Sequence, residues 1–348
     1  MTKRIEYTSL QKFFKEALMA VGAPEHVAKI EAQIGAEVDL CGVHSHGARL
    51  LIGMVNNIRN GPTNPDPDIR TLVNFPASVL METDCGIGRY VSHVGMESAI
   101  ERAEQFGVGV CVIRGVAHWG RGYSYGLQAA RAGMVGLAFT NAYANFPAWG
   151  TAVPSLGNNP FAIGVPSDED GEPVVMDIAM TQTAIGRVNN AAAAGEPIPY
   201  GWGLDKEGNP TQDPKKVLES ERFLPMGEHK GSALSFMSDL ITGALAGGFL
   251  CFEQGTEGRP FDGEGGSTKT FIAIKPYGDW LGKRVSELKA HLHSVQTAPE
   301  QGDVRWPGEN SFRWRKEYLE KGIALPANIC DGLDQLADEL SLTVEWID

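Results

Sequence analysis

The run Val108 to Arg114 reads Val-Gly-Val-Cys-Val-Ile-Arg, with hardly a polar interruption. A half-exposed strand alternates apolar and polar residues; a strand without alternation needs cover on both faces. Met134 to Thr140 poses the same demand. Buried strands set among helical patterns call for a sheet with helices packed on it, an α/β chain. At 348 residues and 43% hydrophobic composition, the chain can build two domains or one large one around ample core.

The helical patterns come first. Thr8 to Val21 places Leu10, Phe13, Phe14, Leu18 and Met19 on one face, and Thr8-x-x-Gln11 fits a capping box. Pro24 to Asp39 spaces Val27, Ile30, Ile34 and Val38 for a second helix, and Leu50 to Ile58 forms a third, stopped by Asn60-Gly61-Pro62. After the loop from Pro62 to Asp68 the composition turns β-rich, over Ile69 to Phe75 and Ala77 to Thr83. Asp84-Cys85-Gly86-Ile87-Gly88 then precedes a helix from Val91 to Phe106. Strand, Gly-x-Gly and helix make half of a dinucleotide fingerprint, but the third glycine is missing, so a tight turn explains it better. Phe146 to Gly150 reads as an aromatic loop and Phe252 to Thr268 as a polar one, before a strand from Lys269 to Ile274.

Net charge, 30 − 43 = −13, argues against nucleic acid or an anionic membrane as partner. An anionic substrate would need local cations. The five cysteines are scattered without C-x-x-C, which fits reduced thiols and a cytoplasmic location. The first residues lack the apolar core of a signal peptide, and no stretch approaches the roughly 20 apolar residues of a membrane span.

Chemistry concentrates in Gly42-Val43-His44-Ser45-His46-Gly47-Ala48-Arg49, between two helices. Histidine titrates nearest pH 7, and arginine matches a carboxylate in bidentate fashion. A proton donor beside a carboxylate clamp suits reduction of a 2-oxo acid. The plainer reading is a polar helix–helix turn with surface histidines; zinc at His-x-His lacks a familiar ligand spacing. His118 stands at a strand end beside Arg121, either in a site or as a core histidine satisfied by backbone. Asp177 ends another strand, where it can bind a ribose hydroxyl or cap a helix. Gly227-Glu228-His229-Lys230-Gly231 opens a long apolar helix, and its free amides and Lys230 make a phosphate site or merely a solvated helix start.

Together Ser45-His46-Gly47, His118-Trp119, Leu156-Gly157-Asn158-Asn159-Pro160, Asp177-Ile178-Ala179-Met180, Gly201-Trp202-Gly203 and Gly227 to Gly231 resemble the malate/L-lactate dehydrogenase family, which is unrelated to Rossmann-type lactate dehydrogenases. The resemblance implies a non-Rossmann, mixed-sheet NAD(P)-binding domain plus a helical domain built from the N- and C-terminal segments. Residues 76–251 would form the first, and 1–75 with 252–348 the second, which would also carry dimerisation. It implies a homodimer and NAD or NADP as cofactor. His46 becomes the proton donor. Pro173, Val174, Val175, Met176, Asp177, Ile178 and Ala179, the pair His229-Lys230, and Gly308, Glu309 and Asn310 become cofactor contacts.

The expected reaction is hydride transfer to the C2 carbonyl of a small-molecule 2-oxo acid. Ser45 would orient the catalytic groups and His118 would bind or polarise the substrate. Arg49 would hold the carboxylate, and Arg121 and Asn141 a polyhydroxy tail. Stretches around His118 and Gly227 look most like family members that reduce 2,3-diketo-L-gulonate, and those around Lys230 also like members that reduce cyclic imine carboxylates such as Δ1-piperideine-2-carboxylate. A non-catalytic nucleotide-binding protein is the rival from another class.

Overall fold

A computed structural model describes residues 2–168, 171–256, 258–260, 264–298 and 302–347. Strand β1 (Lys3–Ile5) leads into α1 (Tyr7–Ala20), α2 (Glu25–Leu40) and α3 (Ala48–Asn60). The expected capping box at Thr8 does not form. The helix starts one residue earlier behind Glu6, and Gln11 donates to the Tyr7 hydroxyl instead. Leu10, Phe13 and Phe14 of α1 meet Val27 and Ala28 of α2 and Leu51 and Val55 of α3 in one buried core. Gly35 lets the α2 backbone approach, since a Cβ there would lie 2.6 Å from the Phe14 ring.

The sheet portion follows with β2 (Arg70–Phe75), β3 (Ser78–Gly86), α4 (Gly88–Phe106), β4 (Val108–Ala117), α5 (Tyr123–Arg131), β5 (Val135–Thr140), β6 (Ala144–Pro147), β7 (Pro154–Gly157), β8 (Phe161–Val165) and β9 (Val174–Ile178). Next come α6 (Ile185–Ala194), α7 (Pro214–Ser220), α8 (His229–Asp239) running into a π-helical turn at Leu240–Ala244, and β10 (Glu264–Ile274). The chain closes with α9 (Trp280–Ser294), α10 (Glu309–Lys321), β11 (Ile323–Leu325), α11 (Ala327–Leu340) and β12 (Trp346–Ile347).

The seven-stranded sheet has the order β2-β3-β4-β10-β5-β8-β9, parallel at β3–β4 and antiparallel elsewhere. This is a mixed sheet, as the family resemblance implied. The run Val108 to Arg114 becomes β4, with Cys111, Ile113 and Val116 buried beside Met96 of α4 and Phe271 of β10. Three expectations need correction. β2 and β10, placed with the helical segments at 1–75 and 252–348, are strands of the large sheet, and β10 lies at its centre between β4 and β5. The loop expected from Phe252 to Thr268 therefore gives way to strand at Glu264. The segment from Phe146, expected as loop, begins inside a small hairpin of β6 and β7.

The terminal segments do meet. β1 pairs with both β11 and β12, and Ile329, Leu333 and Leu336 of α11 join the α1–α3 core. Among the described residues no helix is long and apolar enough to cross a membrane.

Candidate active site

The turn between α2 and α3 is built on a buried carboxylate. Asp39 Oδ1 lies 2.9 Å from His44 Nδ1, and Oδ2 accepts the Ala48 amide at 2.5 Å, the first free N–H of α3. A side chain at residue 47 would occupy the space of that carboxylate, which explains Gly47. His44 is thereby anchored to the turn through its Nδ1. Ser45 and His46 project from the crest, with Ser45 Oγ 2.8 Å from His46 Nδ1.

His118 follows the end of β4, its ring centroid 6.0 Å from that of His46. Gly120 adopts a left-handed φ of 79°, and its amide turns back to donate to His118 Nδ1 at 3.1 Å. A ring nitrogen that accepts carries no proton, so His118 is neutral with its hydrogen on Nε2. Burial pushes His118 down to about 3, helped by the charges of His46, Lys269 and Arg89. Lys269 of β10 is buried and donates to Thr140 Oγ1 at 2.8 Å and to Ser267 Oγ. Gly88 also finds its reason here: a Cβ would run into the backbone carbonyl of His118. The Gly-x-Gly turn lets α4 start hard against the strand end that carries the histidine, with no cofactor needed to explain it.

Arg121 and Asp177, 56 residues apart, form an ion pair with Nε 2.8 Å from Oδ2. The guanidinium packs 4.3 Å from the Tyr123 ring, and its Nη1 is buried with no hydrogen-bond partner among the described residues. Burial lowers the His46 pKa; Asp177 opposes this, while Arg121, Arg89 and Arg49 add to it. His46 therefore shares one electrostatic site with Asp177, Arg121 and Arg49. Arg49 sits exposed in the first turn of α3, with Asp39 already committed to His44 and Ala48.

Asn141 corrects an expectation. It is 1% exposed and donates to Asp239 Oδ1 and the Phe249 carbonyl, and its own oxygen accepts the Thr268 amide. The whole amide is used in joining β5, β10 and the π turn, so nothing remains for a substrate tail.

The three segments expected to hold a cofactor meet at β9, an edge of the sheet. The Val175 amide donates to the Pro307 carbonyl at 3.0 Å, and Gly308, at φ 95°, brings its Cα so close that a Cβ would lie 3.0 Å from the Val175 oxygen. Beyond the strand, the Met226 amide donates to Met180 at 2.8 Å, which seats the start of α8. A Cβ at Gly231 would lie 2.6 Å from the Met226 oxygen. His229 and Lys230 are exposed at that helix N-terminus. Pro173, Val174, Met176, Ile178 and Ala179 are partly accessible beside them. The side chains of Asp177, Glu309 and Asn310 have protein partners: Arg121, the Trp306 amide with His293, and Arg313 respectively.

Sequence reasoning missed Arg89, Glu31 and Lys269, all buried beneath this site. A signal for Arg89 existed, since it shares the inward face of α4 with Ser92 and Met96.

A family model described as malate/L-lactate dehydrogenase matches residues 5–334. The chain is 30% identical over 331 residues to 2,3-diketo-L-gulonate reductase of Citrobacter koseri, covering 94% of this chain and 98% of that one. It is 31% identical to a Δ1-pyrroline-2-carboxylate/Δ1-piperideine-2-carboxylate reductase of Pseudomonas putida, covering 96% of each. A solved structure of sulfolactate dehydrogenase from Methanocaldococcus jannaschii superposes with a TM-score of 0.91 at 29% identity, over 100% of both chains.

Proposed function

Since the chain belongs to the malate/L-lactate dehydrogenase family, it is an oxidoreductase, and we propose that it reduces the C2 carbonyl of a small 2-oxo acid with NADH or NADPH. The observation that carries this reading is the pair of histidines. One is open to titration and bonded to a hydroxyl; the other is kept neutral, with centroids 6.0 Å apart. The reduced nicotinamide supplies the hydride when bound. The residues present suit it: the α8 N-terminus with Lys230 for phosphate, and the β9 edge with the Gly308 turn for the rest.

The chain's own groups supply the proton and the orientation. His46, as imidazolium, donates to the oxygen on which negative charge develops. Ser45 holds its Nδ1 side. His118 offers Nε2–H to the same carbonyl oxygen, polarising it without giving up a proton. Among the described residues Arg49 has no hydrogen-bond or ion-pair partner, and it takes the substrate carboxylate. Arg121, fixed by Asp177, turns its unpartnered Nη1 to a further oxygen of the substrate. A cyclic imine carboxylate uses the same clamp and donor, as the resemblance to the Pseudomonas putida reductase suggests. The reading is tested by loss of reduced-nicotinamide absorbance with a panel of 2-oxo acids and cyclic imine carboxylates, each with NADH and NADPH. Cofactor binding without turnover on any of them would favour a non-catalytic binding protein.

Lys230→Ala is expected to weaken cofactor binding and leave the melting temperature in place, because the side chain is exposed at a helix start. A rise confined to the KM of the oxo acid would place the cofactor elsewhere. Arg49→Lys should lower kcat/KM for oxo acids roughly 10- to 100-fold at unchanged melting temperature, since an ammonium cannot reproduce the bidentate fork. Normal kinetics with lost stability would shift the carboxylate role to Arg121.

The exposed apolar surface also supports a homodimer. Phe236 (54% exposed), Met237 (52%) and Leu245 (63%) stand on α8 and just behind it. Large apolar side chains exposed along one helix support a protein interface there. Met237→Glu is expected to halve the mass seen by light scattering; an unchanged oligomer would move the interface elsewhere.

A further inference from the structure

Beneath the two histidines lies an ion pair that the reaction scheme does not use. Arg89, from the first turn of α4, and Glu31, from α2, are each 0% exposed, with Nη1 and Oε2 3.3 Å apart. Removing charges from water costs more than such a pair returns unless its geometry is excellent, and an apolar pair serves stability as well. Here the geometry is incomplete: Arg89 Nε is buried with no hydrogen-bond partner among the described residues. Stability alone gives no reason for it.

What Arg89 does reach is the catalytic turn. Its Nη2 donates to the His46 carbonyl at 2.9 Å and to that of Gly47 at 3.4 Å. Its stem passes under the second histidine's turn, where a Cβ on Gly120 would meet Nε at 2.9 Å. Glu31 steadies it from the other side, with Oε1 accepting the Tyr90 amide at 2.7 Å. The guanidinium therefore bridges α2, α4, the His46 turn and the His118 turn, which come from distant parts of the chain.

We infer that Arg89, held by Glu31, is the positioning residue of the proton donor: it pins the His46 backbone by its carbonyls and sets a fixed positive charge under the imidazole. The inference rests on the reading of His46 as donor. Placement matters at this scale, since a shift of about 1 Å in a reacting group costs on the order of 100-fold. The charge acts in a defined direction, because a buried cation disfavours the imidazolium. Arg121 and Arg49 act the same way, and Asp177 opposes them; Ser45 and the neutral His118 complete the groups that face the ring.

The test is the pH dependence of kcat with saturating cofactor and oxo acid, on the full-length enzyme. Arg89→Gln alone leaves a buried carboxylate unpaired and is expected to fold poorly. Arg89→Gln with Glu31→Gln removes both charges and keeps the chain testable. In that double variant kcat should fall roughly 10- to 100-fold. Its pH midpoint should move upward, because Arg89 lies against the His46 turn, though by less than loss of Arg89 alone would give since the opposing Glu31 charge goes too, and KM for the cofactor should stay unchanged. A folded double variant with wild-type kcat and an unmoved midpoint would overturn the proposal alone. His46→Ala, measured in parallel, separates the premise: if it keeps wild-type kcat, the donor reading fails and the proposal with it.

Discussion

Replacing His46 with alanine is expected to lower kcat for oxo-acid reduction by roughly 10²–10⁴-fold, the scale of general acid catalysis. Affinity for the reduced cofactor should hardly change, since the ring is bonded to Ser45 and faces His118, and the expected phosphate contacts lie at the α8 N-terminus. No neighbour can take over the proton. His118 is held neutral by the Gly120 amide and pushed down to about 3 by burial, and Ser45 is no acid near pH 7. Added imidazole should restore part of the rate. The pH profile gives a second check. Reduction needs the imidazolium, and burial lowers the pKa of His46 below its ordinary value. The rate should therefore decline as pH rises, with a midpoint below the usual histidine range. Oxidation of the hydroxy acid should rise over the same window. A variant that keeps wild-type kcat, or a wild-type profile flat across this range, would remove His46 from the proton path.

Asp177→Asn should have the second largest effect, and a pH dependence of defined sign. Asp177 favours the charged form of His46, against the opposing charges of Arg121, Arg89 and Arg49. Asparagine keeps the shape and can still accept from Arg121 Nε, but the negative charge is gone. The imidazolium is then less favoured, so the midpoint for reduction moves to lower pH. The rate at pH 7 should fall, because less of the donor is charged there. Acidification should recover much of the loss while the protein stays folded. An effect confined to cofactor affinity, with the midpoint in place, would instead return Asp177 to the ribose-binding role that its strand-end position first suggested.

Local signals carried the fold class and the outline of the site. Unbroken apolar character marked Val108 to Arg114 as a buried strand, and helical spacing marked the segments before and after Ser45-His46. These are short-range properties, since a period of two or 3.6 is written in neighbouring residues. Motif order across the chain pointed to the family before any contact was known. Three-dimensional packing decided the rest. Nothing in the segment from Glu264 says that it will slot between β4 and β5; pairing depends on register and chain path over more than a hundred residues. Asn141 looked like a substrate ligand until its amide met Asp239, Phe249 and Thr268. Met237 and Leu245 read as apolar helix, yet lie exposed, because periodicity marks an apolar face without saying what covers it. Arg89 is the sharpest case. A charged side chain is expected in water, and only the approach of Glu31 from a separate helix makes its burial possible. Neighbouring residues settle which elements form and which chemistry they bear, whereas the packing of distant segments settles which side chains lose water and which partners replace it.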